Sequence, residues 1–181
     1  MKILYIDACV RDCSRTRELA EHLLSRLSGD ITRLMLDGAD IRSIDAADIT
    51  ARDCGAEYTK IYARQFAEAD IIVMAAPYWD MSFPALLKEY IENICVSEVT
   101  FRYENDRPVG LCKAKGLYYV TTAGGPFVPD FGYNYVAALA NSFFGIPETR
   151  CFVADRLDMY GSDTEAILWA AKKEIDEAKL I

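Results

Sequence analysis

Asp70-Ile71-Ile72-Val73-Met74-Ala75-Ala76-Pro77-Tyr78-Trp79-Asp80-Met81-Ser82-Phe83-Pro84 is the stretch that decides the fold. An apolar run of strand length stops at a proline, two aromatics follow, and a second proline opens a segment with Leu87, Ile91 and Ile94 at helical spacing. A run with no polar alternation reads as a strand covered on both faces, here over 70–76. Ser82 is expected to cap the following helix, with Pro84 in its first turn, where a missing N–H costs nothing. Lys88 and Glu92 fall off the apolar stripe and are expected to face solvent.

The same alternation of strand and helix extends in both directions. Residues 2–7 read as the first strand, and a helix begins around Ser14 to Thr16 with Leu19, Leu23, Leu24 and Leu27 on one face, stopped by Gly29. The second strand is 31–36. A polar connection over 37–54 has room for a short helix, and 57–68 reads as the second helix. Beyond the deciding stretch, 99–103 suits an extra strand or hairpin arm, 116–122 the fourth strand, and 133–144 a helix closed by Gly145 with Pro147 beyond. The fifth strand is 148–154. Ser162-Asp163-Thr164-Glu165 has the form of a capping box opening a last helix that carries Ile167, Leu168, Ala171 and Ile175. Five strands alternating with five helices predict one α/β domain over 1–181, with a doubly wound five-stranded parallel sheet of order 2-1-3-4-5 and helices on both faces. Ligands of such sheets lie at the carboxyl ends of the strands, by the switch between strands one and three.

A formal net charge of -8 argues against a nucleic-acid partner, which needs a basic face, and against docking to anionic lipid. The opening run Ile3-Leu4-Tyr5-Ile6 is too short for a signal segment or a membrane span, so a cytoplasmic location is expected. The six cysteines form no C-x-x-C pair and read as free thiols. With one histidine, His22, inside the first helix, no metal site and no histidine chemistry are expected.

Three loops leave the carboxyl ends of strands one, three and four. Loop one, Ala8 to Thr16, leads into a helix N-terminus, where free N–H groups favour an anion; Ser14 and Thr16 add hydroxyls, and Arg11 and Arg15 add charge. It contains neither a dinucleotide fingerprint nor a Walker loop, and Ser14 or Thr16 can equally be a plain N-cap. Loop three sets Tyr78 and Trp79 between prolines, which makes either an apolar shelf for a flat ring or a hydrophobic turn over the core. Loop four, Thr121-Thr122-Ala123-Gly124-Gly125-Pro126-Phe127, lets backbone approach a ligand closely or forms a tight turn before a helix.

Four blocks together resemble the FMN-dependent NADH-azoreductase and NAD(P)H:quinone oxidoreductase branch of the flavodoxin-like fold. They are Cys9-x-Arg11-x-x-Ser14-Arg15-Thr16, the segment 76–91, the stretch Val99-Thr100-Phe101-Arg102-Tyr103 with Pro108, Gly110, Leu111 and Lys115, and Val120 to Gly125. The resemblance implies FMN as cofactor, NADH or NADPH as electron donor, and a quinone or azo compound as acceptor, with ping-pong hydride transfer through the flavin. No side chain is then an obligate acid or base. By the same resemblance, Cys9, Arg11, Ser14, Arg15 and Thr16 border the phosphate. Pro77, Tyr78, Trp79, Asp80 and Met81 border the flavin ring. Thr121, Thr122, Ala123, Gly124 and Gly125 border its pyrimidine edge. Tyr103 and Phe127 are assigned to the acceptor pocket, Tyr103 across the interface of an implied homodimer. Cys9, Asp80 and Ala123 depart from the residues common in that family.

Two rival functions remain at this stage. Cys9 to Thr16 formally reads C-x5-R-[ST], the phosphate loop of low-molecular-weight phosphatases, with Cys9 as nucleophile and Arg15 as phosphate ligand, though the glycine and asparagine of that loop and an Asp-Pro acid are missing. A flavodoxin-like electron carrier suits the acidic charge but has no use for the Phe-Arg-Tyr insertion.

Overall fold

The structure is a computed structural model describing residues 1–181. In chain order the elements are β1 (Lys2–Asp7), α1 (Arg15–Ser25), β2 (Asp30–Met35), α2 (Ala46–Asp53), α3 (Ile61–Ala67), β3 (Ile71–Ala75), α4 (Ala85–Ile94), β4 (Phe101–Glu104), β5 (Arg107–Gly110), β6 (Gly116–Thr122), α5 (Tyr133–Leu139), β7 (Glu148–Ala154) and α6 (Thr164–Glu177). Five strands form a parallel sheet of order β2-β1-β3-β6-β7, which is the 2-1-3-4-5 arrangement once the separate antiparallel β4–β5 hairpin is set aside.

The unbroken apolar character of the central strands follows from the two layers they face. Leu4, Ile6, Ile72 and Met74 enter one core with Leu87 and Ile91 of α4 and Val136 of α5. Ile3, Tyr5, Ile71 and Val73 enter the other with Leu19 and Leu23 of α1 and Leu168 and Ile175 of α6. Each neighbour in sequence belongs to the opposite core, so every position along β3 must be apolar. No helix is long and apolar enough to cross a membrane.

Several expected boundaries move. The segment 57–68 is a 3-10 turn, Glu57–Lys60, followed by the short α3, and 133–144 is α5 followed by a π-turn, Ala140–Phe144. The expected extra strand pairs back on 107–110 as a hairpin, and the polar connection contains α2, which holds the capping box between Asp45 and Asp48. Gly29 does not stop α1, whose C-cap is Arg26. Ser82 does not cap α4: the cap position is Pro84 with no side-chain bond, and Ser82 Oγ donates to Phe131 O at 2.6 Å. At α6 the cap is Asp163, which accepts from Ala166 N at 3.0 Å, while Ser162 Oγ donates to Arg156 O. At α6 the residue next to the expected one takes the free N–H, while α4 starts with no side-chain cap at all, because cap geometry depends on entry angle and not on residue type alone. Lys88 and Glu92 pair with each other on the outer face of α4.

Phe66 anchors the core beneath α4, with ring centroids 4.9 Å from Phe144 and 6.5 Å from Tyr90. Tyr90 is fully buried and its hydroxyl finds no partner, so burial pushes its phenol pKa well up. Phe66→Ala is expected to cost roughly 3–5 kcal/mol, read as a lower urea midpoint at unchanged slope. Tyr90→Phe is expected to be neutral or stabilising by up to about 1 kcal/mol in the same measurement, because it removes an unpaired buried hydroxyl.

Candidate functional site

A cavity of about 330 Å³ opens at the carboxyl ends of the strands, and four loops wall it: those after β1, β3, β6 and β7. Its size lies within the ordinary range for small-molecule sites.

The loop after β1 is held from below by a buried charge network. Asp7, at the end of β1, is fully buried and receives Arg17 Nε at 2.6 Å, the Tyr5 hydroxyl at 3.0 Å and Cys9 N at 2.8 Å. Arg17 reaches back from the first turn of α1 and also donates to the carbonyls of Cys9 at 2.5 Å and Arg11 at 3.0 Å. One guanidinium therefore ties strand, loop and helix together. Burial, with Asp7 beside it, pushes the Tyr5 phenol pKa up, so Tyr5 remains a neutral donor to that carboxylate. Ser14 caps α1, accepting from Arg17 N at 3.2 Å. The backbone N–H groups of residues 10–16 donate to no acceptor in the protein, which leaves a run of free donors at a helix start. Thr16 Oγ1 lies 2.7 Å from Thr122 Oγ1, so a buried hydroxyl pair links this loop to the end of β6.

The loop after β3 turns sharply. Trp79 and Ser82 exchange backbone bonds of 3.0 and 2.7 Å across Asp80 and Met81, whose φ values are 51° and 67°. Two left-handed residues at the centre of a turn are the type I′ pattern that favours glycine, asparagine or aspartate. Aspartate fits; methionine carries backbone strain of the kind that gathers at binding sites. Tyr78 N donates to Thr122 O at 3.0 Å, which registers this loop on β6, and the Tyr78 ring meets Phe127 edge to face at 5.2 Å.

The loop after β7 is the wall that sequence reasoning missed. Arg156, Leu157 and Asp158 donate their N–H groups to Gly125, Ala123 and Gly124 at 2.9, 3.1 and 3.0 Å, so it continues the sheet beyond β6. Asp155 accepts from Phe127 N at 3.0 Å. Gly124 faces the Asp158 side chain: a Cβ there would sit 2.6 Å from Asp158 Oδ2, and the carboxylate would have to move aside.

Of the residues singled out from sequence, Cys9, Arg11, Ser14, Arg15 and Thr16 line the cavity together with Pro77, Tyr78 and Trp79, and with Thr122, Ala123 and Gly124. Asp80 and Met81 stand at the turn beside Trp79 and Gly125 beside Gly124, without lining it. Thr121 is fully buried, with its hydroxyl unpartnered. Phe127 packs on Tyr78 behind the wall. Tyr103 stands on the β4–β5 hairpin, 60% exposed, outside this chain's cavity. Cys9 is buried and its thiol pKa is pushed up to about 12 by burial, with its sulfur 3.9 Å from Ala75 O; it is no thiolate nucleophile at neutral pH, which removes the phosphatase reading. His22 pairs with Asp176 at 3.1 Å, away from the cavity.

A four-loop cavity at the switch point of a β2-β1-β3-β6-β7 sheet defines a flavodoxin-like α/β protein. A family model described as flavodoxin-like fold matches residues 1–178. A protein named FMN-dependent NADH:quinone oxidoreductase from Caldicellulosiruptor bescii is 34% identical over 196 residues, covering 97% of this chain and 96% of that one. A similarly named protein from Clostridium acetobutylicum is 43% identical over 124 residues, 65% of this chain and 60% of that relative's length. The chain belongs to the flavodoxin-like fold family, in the group of FMN-dependent NADH:quinone oxidoreductases. A solved azoreductase from Bacillus anthracis superposes with TM-score 0.85 at 23% identity, covering 97% of this chain and 96% of the other. Another, an FMN-dependent NADH-azoreductase from the same organism in complex with FMN, gives 0.82 at 22% over 98% and 97%. At those identities the likeness is one of fold.

Arg17→Ala removes the one cation beside the buried Asp7 carboxyl group and is expected to cost roughly 3–5 kcal/mol, read by urea unfolding. Arg17→Lys is expected to recover only part of this, since an ammonium cannot bridge the carboxylate and two carbonyls in one plane.

Proposed function

We propose that the chain is an FMN-dependent NAD(P)H oxidoreductase that reduces quinones or azo compounds. The observation that carries the reading is the run of unclaimed backbone donors on the wall of a cavity it shares with an aromatic turn and a glycine loop. These residues fit FMN. The N–H groups of 10–16, with the hydroxyls of Ser14 and Thr16, would hold its phosphate at the start of α1. Arg17 and Asp7 keep that cradle in one shape before anything binds. Tyr78 and Trp79 offer an apolar face for a flat ring, with the free N–H groups of Asp80 and Met81 beside it. Gly124 lets backbone reach the ring's polar edge without a side chain between.

When bound, FMN supplies two-electron chemistry, taking hydride from a nicotinamide and releasing the electrons to an acceptor. The chain's own part is binding, orientation and exclusion of water; no side chain at the cavity is poised as an acid or base.

The finer points belong to the same proposal. The protein acts as one cytoplasmic domain. It works as a homodimer, because Tyr103 is exposed on a hairpin outside its own cavity and serves best as a wall of another copy's acceptor pocket.

The purified protein is expected to be yellow or to take up added FMN, and to oxidise NADH or NADPH steadily with a quinone. Cys9→Ser is expected to keep that turnover. Colourless protein that takes up no FMN overturns the reading. Bound FMN with a single reduction and no steady turnover points instead to an electron carrier.

A further inference from the structure

Arg15 and Asp158 meet across the cavity between the loop after β1 and the loop after β7. Arg15 Nη1 lies 2.7 Å from Asp158 Oδ1, with the side chains 41% and 65% exposed, and both residues line the cavity. Asp158 is the only acceptor that the Arg15 side chain has. The backbone that carries the carboxylate is fixed in place. Its backbone is bonded to Gly124, Ser162 Oγ donates to Arg156 O at 2.6 Å, and Thr164 Oγ1 donates to Leu157 O at 2.9 Å. Gly124 supplies the space that Asp158 Oδ2 occupies.

We propose that Asp158 is a specificity-determining residue: it holds the Arg15 guanidinium in the ligand-free cavity, so that a flavin bearing a phosphate must compete with it and a flavin lacking one need not. This deepens the FMN reading above and rests on it.

The argument is electrostatic. Arg15 begins α1, beside the free N–H groups where an anion belongs. A phosphate monoester carries close to two negative charges and matches a guanidinium well. If Arg15 stays on Asp158, the arriving phosphate meets a neutralised pair with a carboxylate on its far side. If Arg15 turns to the phosphate, the pair is lost and Asp158 returns to water, which its exposure allows. Both routes charge the cost to the phosphate alone. The size is that of one exposed ion pair, roughly two- to fivefold in affinity.

The test is fluorescence titration of the flavin-free full chain with FMN and, separately, with riboflavin. Wild type, Asp158→Asn, Asp158→Ser, Arg15→Gln and the Arg15→Gln/Asp158→Ser double variant are compared, each checked for wild-type urea unfolding. The expected result is FMN binding tightened roughly two- to fivefold in Asp158→Ser, with riboflavin affinity unchanged. Asp158→Asn lies between, since its amide oxygen can still accept from Arg15. Arg15→Gln weakens FMN only, and Asp158→Ser gains nothing on that background. The inference is overturned if Asp158→Ser weakens FMN, moves both flavins equally, or has the same effect without Arg15. Wild type that binds both flavins while the variants fail to separate them sinks this inference alone. Wild type that binds neither sinks the FMN reading with it.

Discussion

The buried bond between Asp7 and Arg17 is the constraint on which the cavity rests. A carboxylate without solvent is tolerable only with its charge matched and its lone pairs filled, and here Arg17, Tyr5 and Cys9 N do both. Because Arg17 also takes the carbonyls of Cys9 and Arg11, the loop's oxygens are drawn inward toward one cation. The N–H groups of residues 10–16 are left without internal partners. A loop that keeps its donors free must have its acceptors satisfied elsewhere, and one partly buried arginine does this for the stretch that opens the site.

The remaining walls are registered on the same frame by short polar links. Thr16 to Thr122 joins the first loop to β6, Tyr78 N to Thr122 O joins the third, and the loop after β7 is laced to Ala123, Gly124 and Gly125. Thr122 sits at the meeting point of three loops, its hydroxyl serving one and its carbonyl another. The cavity is thus assembled from backbone and hydroxyl contacts close to the sheet, and its charged groups are few.

Much of this was legible in the sequence because one physical signal dominated. The strands of a sheet buried on both sides must be apolar at every position, and Ile71 to Ala75 could hardly be anything else. The order of strands and the convergence of the loops after β1, β3 and β6 followed from that pattern. What was not legible depended on distance in the chain. Asp7 reads as an ordinary strand end and Arg17 carries no sequence signal; only the fold shows that the two meet beneath one loop. Asp158 lies 143 positions from Arg15, with no local motif to mark it. The expected caps at Ser82 and Ser162 differ for a smaller reason: Asp163 takes the start of α6 in place of Ser162, and at α4 Ser82 turns to Phe131 O and leaves the helix start without a side-chain cap. The left-handed Met81 gave no compositional sign, because methionine is not a turn residue.

The sheet divides the interior into two cores that share no buried side chain, one packed by α1 and α6, the other by α3, α4 and α5. The loops around the cavity lead into helices of both. A guest seated there would bridge loops that lead into the helices of both packings. Occupancy then raises the resistance of the whole chain to heat in proportion to the logarithm of guest concentration over its dissociation constant. The endurance of this protein is therefore coupled to the supply of whatever fills the cavity.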